Sequence, residues 1–150
     1  AGTLADHFHG PVSIALMSAP TLGDGVDTFV RYFPVRIPYM HMQGRRDGDL
    51  FYAELCPLIK LGEIKPILVE TPLMVLQQYL HTLYAVDFSQ ARIELDYPPP
   101  DWAERYARYF LAPVVFDAPR VALVMPEAWR ALRNLDYQES TWAHALGQCE

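Results

Sequence analysis

Apolar residues recur along the chain at two periods, and the change of period marks out the elements. Leu22, Val26, Phe29, Val30 and Phe33 fall at helical spacing behind Thr21, which suits an N-cap, with Asp24 three residues on as an approximate capping box. This predicts a helix at about 21–33. Leu73, Leu76, Leu80, Leu83 and Tyr84 repeat the pattern behind Thr71-Pro72, a cap followed by a first-turn proline, and predict a second helix at about 71–85, entered from a turn near Pro66. Residues 12–17 are short and apolar, and their periodicity admits either a strand or a buried helical turn. Extended runs at 36–43 and 49–56 flank Gly44-Arg-Arg-Asp-Gly48 in the manner of a β-hairpin, with Pro38 directing the first arm to a sheet edge.

Residues 92–97 alternate, with Ile93, Leu95 and Tyr97 on one side, until Pro98-Pro-Pro100 ends the ladder. Asp101 is placed to cap a helix carrying Trp102, Tyr106, Tyr109 and Phe110. Residues 114–116 and 121–125 read as short strands, and helices follow at 126–133 and from Ser140 onward. The hairpin arms are joined by too few residues for a parallel crossover. The fold class expected is therefore α+β: a mainly antiparallel sheet of four to five strands whose apolar face is covered by helices.

Composition adds limits. The chain has 150 residues, 51% hydrophobic and 20% charged, enough for one domain with a packed core and no metal or disulfide staple. No linker, repeat or low-complexity tract divides it. The net charge of −6, without any Lys/Arg run, argues against this stretch gripping nucleic acid or an anionic membrane by itself. Cys56 and Cys149 lie far apart, a usage that suits a reducing compartment. No apolar run reaches the ~18 residues of a membrane span and no signal peptide opens the chain, so the expected location is the cytoplasm. The chain begins Ala-Gly-Thr without an initiator Met and stops inside a helical pattern, which suggests a fragment.

The candidate chemistry is sparse. No nucleophile elbow, phosphate-binding glycine loop, Cys-x-x-Cys or His-Glu-x-x-His is present. His7 and His9 offer two imidazoles without a local third ligand, and neither a metal centre nor a cofactor is expected. His41 and Glu54, on opposite arms of the hairpin, could form either an acid–base pair or a solvated cross-strand pair. The aromatics Tyr39, Tyr52, Trp102, Tyr106, Tyr109 and Phe110 suit the wall of a pocket for a partly polar small molecule, and core packing explains them as well.

Three stretches read together resemble a known family. Gly10-Pro-Val-Ser-Ile-Ala-Leu-Met-Ser-Ala-Pro-Thr21-Leu22-Gly23, followed by a helix, resembles a segment of the N-terminal effector domains of AraC-type transcription regulators, the arabinose-binding-like branch. Tyr106-x-x-x-Phe110-x-x-Pro113-Val114-x-Phe116-x-Ala118-Pro119, then Leu123, resembles a later block of the same branch. The run from Trp142 to Glu150 resembles the start of the helix that leads to the linker before the DNA-binding domain. Gly25 and Leu111 depart from the usual pattern, and residues 36–100 carry no match, which is where specificity is expected.

The resemblance implies a non-enzymatic sensor domain that binds a small-molecule effector and reaches DNA only through a C-terminal helix-turn-helix domain that this sequence lacks. Tyr39, His41, Tyr52 and Glu54 on the hairpin, with Trp102 and Tyr106 on a facing helix, are the expected effector pocket, between sheet and helices. Trp142, Leu146 and Cys149 on the last helix are the candidate dimer or interdomain surface, their apolar side being otherwise exposed. The rival readings are a small α+β enzyme using His41 and Glu54, or a purely structural interaction domain.

Overall fold

The computed structural model describes residues 11–149. The expected pair His7 and His9 lies outside them. The elements run α1 (Pro11–Ser18), α2 (Leu22–Arg36), β1 (Met40–Asp47), β2 (Leu50–Pro57), α3 (Lys65–Tyr84), β3 (Arg92–Glu94), β4 (Val114–Val115), β5 (Val121–Pro126) and α4 (Glu139–Cys149). The five strands form one sheet in the order β1-β2-β5-β3-β4, antiparallel except for the parallel pair β3/β4. The fold is α+β with β1 at an edge, as the prolines before it require.

The stretch left open between strand and helix is α1: it buries Ala15 and Leu16 and packs against α2 and α4. At the start of α2 the Thr21 side chain accepts from the Asp24 amide at 3.1 Å, and its hydroxyl donates to the Asp24 carboxylate at 2.9 Å. Leu22, Val26, Phe29 and Phe33 then enter the core.

Four sequence readings need correction. First, the hairpin loop is shorter than 44–48: β1 continues to Asp47, which pairs with Leu50, leaving Gly48 and Asp49 as a two-residue turn. Gly48 has φ 62° at the position where such a turn takes glycine. Second, α3 starts at Lys65, with Pro66 rather than Pro72 in its first turn. Thr71 caps nothing; its hydroxyl donates to the Ile67 carbonyl at 2.8 Å. Burial of Val69 and Pro72 carries the helix through the missing amide of the inner proline. Third, the segment after Trp102 is a 3₁₀ helix, Ala103–Arg108, without a side-chain cap, and the one expected at 126–133 is the 3₁₀ helix Glu127–Ala131. Fourth, β3 ends at Glu94. Its line persists as single backbone bonds, Leu95 donating to Val115 and Asp117 to Tyr97, both at 2.9 Å.

One face of the sheet, with Met40, Met42, Phe51, Leu55, Ile93 and Leu123, packs under α2 and α3. The alternate residues of the same strands point the other way. That division decides where every candidate side chain lies.

Candidate functional site

On the face away from α2 and α3, Tyr52, Ala122 and Val124 form a small separate cluster edged by Leu50. The guanidinium groups of Arg45, Arg120 and Arg92 lie 4.4, 4.9 and 5.9 Å from the Tyr52 ring centroid, covering it with their stems. Arg92 also donates to the Tyr52 hydroxyl at 3.1 Å. Beneath them Glu94, 4% exposed, accepts from Arg92 Nε at 3.0 Å and from Arg120 at 2.8 Å. Both charges of this buried carboxylate's surroundings are thus paired.

His41 and Glu54 share that face but do not meet. In the observed register His41 stands opposite Cys56, and Glu54 opposite Gln43. Glu54 receives Gln43 Nε2 at 3.5 Å and lies 3.8 Å from Arg45 Nε. Burial, followed by the Glu54 charge, raises the Cys56 pKa and keeps that thiol protonated.

Tyr106 lies on the helix-covered side. Its hydroxyl donates to Glu70 of α3 at 2.9 Å, and that of Tyr97 donates to the same carboxylate oxygen. Burial raises the Glu70 pKa against the opposing effect of the two phenols, and burial with the adjacent carboxylate raises both phenols in turn. The Tyr106 ring stacks on Phe110 and meets Phe116 edge-on. Trp102 is exposed. Tyr39 is half-buried beside a groove of about 340 Å³ near Arg36, Ile67 and Pro72. The six expected pocket residues are therefore spread over the two sides of the sheet and its rim, and no single cavity unites them.

The last helix also differs from expectation. α4 packs on α1, buries Ala145, and turns Leu146 and Cys149 towards the core. The apolar stripe expected to be free is thus largely occupied within the domain, with Trp142 half-exposed beside it.

A cavity of small-molecule size lies elsewhere. About 520 Å³ opens between α1, α3 and the 3₁₀ segment, walled by Met17, Met74, Tyr79, Leu83, Arg108 and Tyr109. Gln77, 3% exposed, also lines it. Its amide oxygen accepts from the Leu111 and Ala112 amides at 2.8 and 3.3 Å, and its nitrogen donates to the Tyr109 carbonyl at 3.2 Å. Tyr79 donates to Ser13 at 2.6 Å and ties α3 to α1. Of this lining the sequence pointed to Tyr109 among its pocket aromatics but not to Gln77, a polar residue inside the apolar stripe of α3, between Leu73 and Leu80. Among the described residues no group of three or more His, Cys, Asp or Glu side chains could hold a metal ion, and no helix is long and apolar enough to cross a membrane.

Residues 7–134 match the family model of the N-terminal arabinose-binding domain of AraC transcription regulators. The chain belongs to this family. The match runs through residues 36–100, where the sequence motifs gave no resemblance, and stops before α4. This AraC-type domain is also similar in fold to the crystal structure of the transcriptional regulator CdpR from Pseudomonas aeruginosa, with a TM-score of 0.77 and 18% identity over 97% of the chain. The alignment takes in 47% of that protein, so the chain spans about half its length. No curated protein matches the sequence.

Proposed function

We propose that the domain is the effector-sensing, non-enzymatic N-terminal part of a cytoplasmic AraC-type transcription regulator, which reaches DNA through a separate helix-turn-helix domain. Family membership supports the class. The cavity of about 520 Å³ between α1 and α3 is the observation that carries effector binding, because its size is that of ordinary small-molecule sites. Its position supports a sensing role: Met17 of α1 lines it, and α1 packs in turn against α4, so the cavity and the last described helix share a wall.

A ligand that binds the folded state alone stabilises it in proportion to its saturation. A thermal-shift screen over sugars, amino acids, carboxylic acids and nucleotides is expected to raise the melting temperature with one chemical class and to reveal no turnover. If no class stabilises the domain, the sensing assignment fails and a purely structural interaction domain replaces it. Acid–base chemistry at His41 and Glu54 has little geometric support, since Glu54 is engaged by Gln43 and Arg45. A homodimer through Trp142 is checked by sedimentation, where a concentration-independent monomer rejects it.

A further inference from the structure

We propose that the cavity between α1 and α3 takes a small amphipathic carboxylate, its anionic head on Arg108 and its apolar body against Met17, Met74 and Leu83, an assignment that rests on the effector-sensing reading. The lining decides the chemistry. Most of the polar groups that face the cavity are already engaged within the protein. Gln77 serves the backbone of residues 109, 111 and 112, Tyr79 gives its hydroxyl to Ser13, and Gln78 donates to Thr82 at 3.2 Å. A polyol would need more convergent donors and acceptors than the few these side chains leave unengaged.

Arg108 is different. It is exposed, lines the cavity, and pairs with no acidic side chain among the described residues. No Asp or Glu stands in the lining to neutralise it. A guanidinium offers a fork of donors that matches a carboxylate in two parallel bonds. Met17 and Tyr109 are 50% and 59% exposed at the same opening, apolar surface that an acyl or aromatic body would cover. One cation beside apolar walls complements one negative charge on an apolar body.

The test uses the 150-residue chain, titrated calorimetrically with decanoate, decan-1-ol and arabinose. Decanoate is expected to bind with one-to-one stoichiometry in the micromolar range. Arg108→Gln, at an exposed and unpaired position, is expected to weaken decanoate about tenfold, equivalent to about 1.4 kcal/mol, while leaving decan-1-ol unchanged. Thr82→Trp, also at an exposed lining position, is expected to weaken both compounds by filling the cavity. Unchanged decanoate affinity in both variants overturns the assignment. Binding of arabinose or another polyol without binding of decanoate overturns it too, and leaves the effector-sensing reading standing. Failure of every compound class to stabilise the domain overturns both.

Discussion

Replacing Gln77 with leucine should show how the cavity keeps its shape. The side chain is almost fully buried and holds the segment after the 3₁₀ helix through three hydrogen bonds. Leucine fits the stripe but leaves the Leu111 and Ala112 amides and the Tyr109 carbonyl without their partner. A buried polar group left unpaired costs about 1–3 kcal/mol. Leu111 and Tyr109 are 51% and 59% exposed, so their two groups belong at the low end, about 1 kcal/mol each. The Ala112 amide is buried, and its longer bond of 3.3 Å places it at about 2 kcal/mol. The sum is about 4 kcal/mol, from which the added apolar burial of leucine subtracts about 1 kcal/mol.

A net loss of about 3 kcal/mol, divided by a urea slope of about 2 kcal/mol per molar, lowers the unfolding midpoint by about 1.5 M. Gln77→Glu supplies the sign. A protonated carboxyl can both accept from the amides and donate to Tyr109, whereas the buried anion cannot donate, so its folded pKa is raised. That variant is therefore expected to approach wild-type stability near pH ~4 and to lose it as pH rises through the raised pKa. A Gln77→Leu midpoint within about 0.25 M of wild type would refute the reasoning, because it would mean that water reaches all three groups.

Gly44 faces the Phe51 ring so closely that an added Cβ would stand 2.7 Å from it. Gly44→Ala is expected to cost about 1–3 kcal/mol by overpacking, and pairing it with Phe51→Leu should recover much of that in a double-mutant cycle. Glu94→Gln removes the charge between Arg92 and Arg120, whose side chains are 36% and 26% exposed. Solvent screening discounts the loss to about 1–2 kcal/mol, measurable by urea unfolding, and no loss would show that the arginines need no internal partner. Glu70 has a folded pKa above its ordinary 4.5, so the folded state holds the proton more tightly. Its contribution to stability is complete below that value and is lost as pH rises through the raised pKa. Glu70→Gln should flatten the fall in unfolding midpoint as pH rises above the ordinary 4.5, and parallel wild-type and variant curves would reject this account.

Where local chemistry and packing agree, the sequence is a good guide. Thr21 caps α2 as its side chain allows, and the stripe behind it is buried. At α3 two start signals compete. Thr71-Pro72 imitates a helix start, yet the apolar face extends back to Val69 and the helix begins at Lys65, because tertiary burial outweighs one lost backbone bond. The aromatic segment after Asp101 has helical spacing, but its backbone tightens into 3₁₀ turns, with Tyr106 held by Glu70 of α3 from far along the chain. Periodicity cannot display a contact of that kind.

The site was less legible because residue types were weighed before faces. Of the hairpin residues, His41, Tyr52 and Glu54 share one side, but it is the side away from α2 and α3, whereas Tyr39 packs at the rim beside those helices. The alternation in β1 already contains this: Met40 and Met42 are the core positions, which sends His41 and Gln43 outward. Tyr52 and Glu54 follow because β2 buries Phe51, Ala53 and Leu55 against the same core. The polar partners then assemble among themselves around Tyr52 and Glu94. The cavity falls instead where a helical stripe is interrupted. A buried glutamine must find backbone partners, and the segment it captures carries Arg108 to the cavity opening. In this domain a misfit in the apolar pattern marks the cavity more directly than a concentration of titratable residues does.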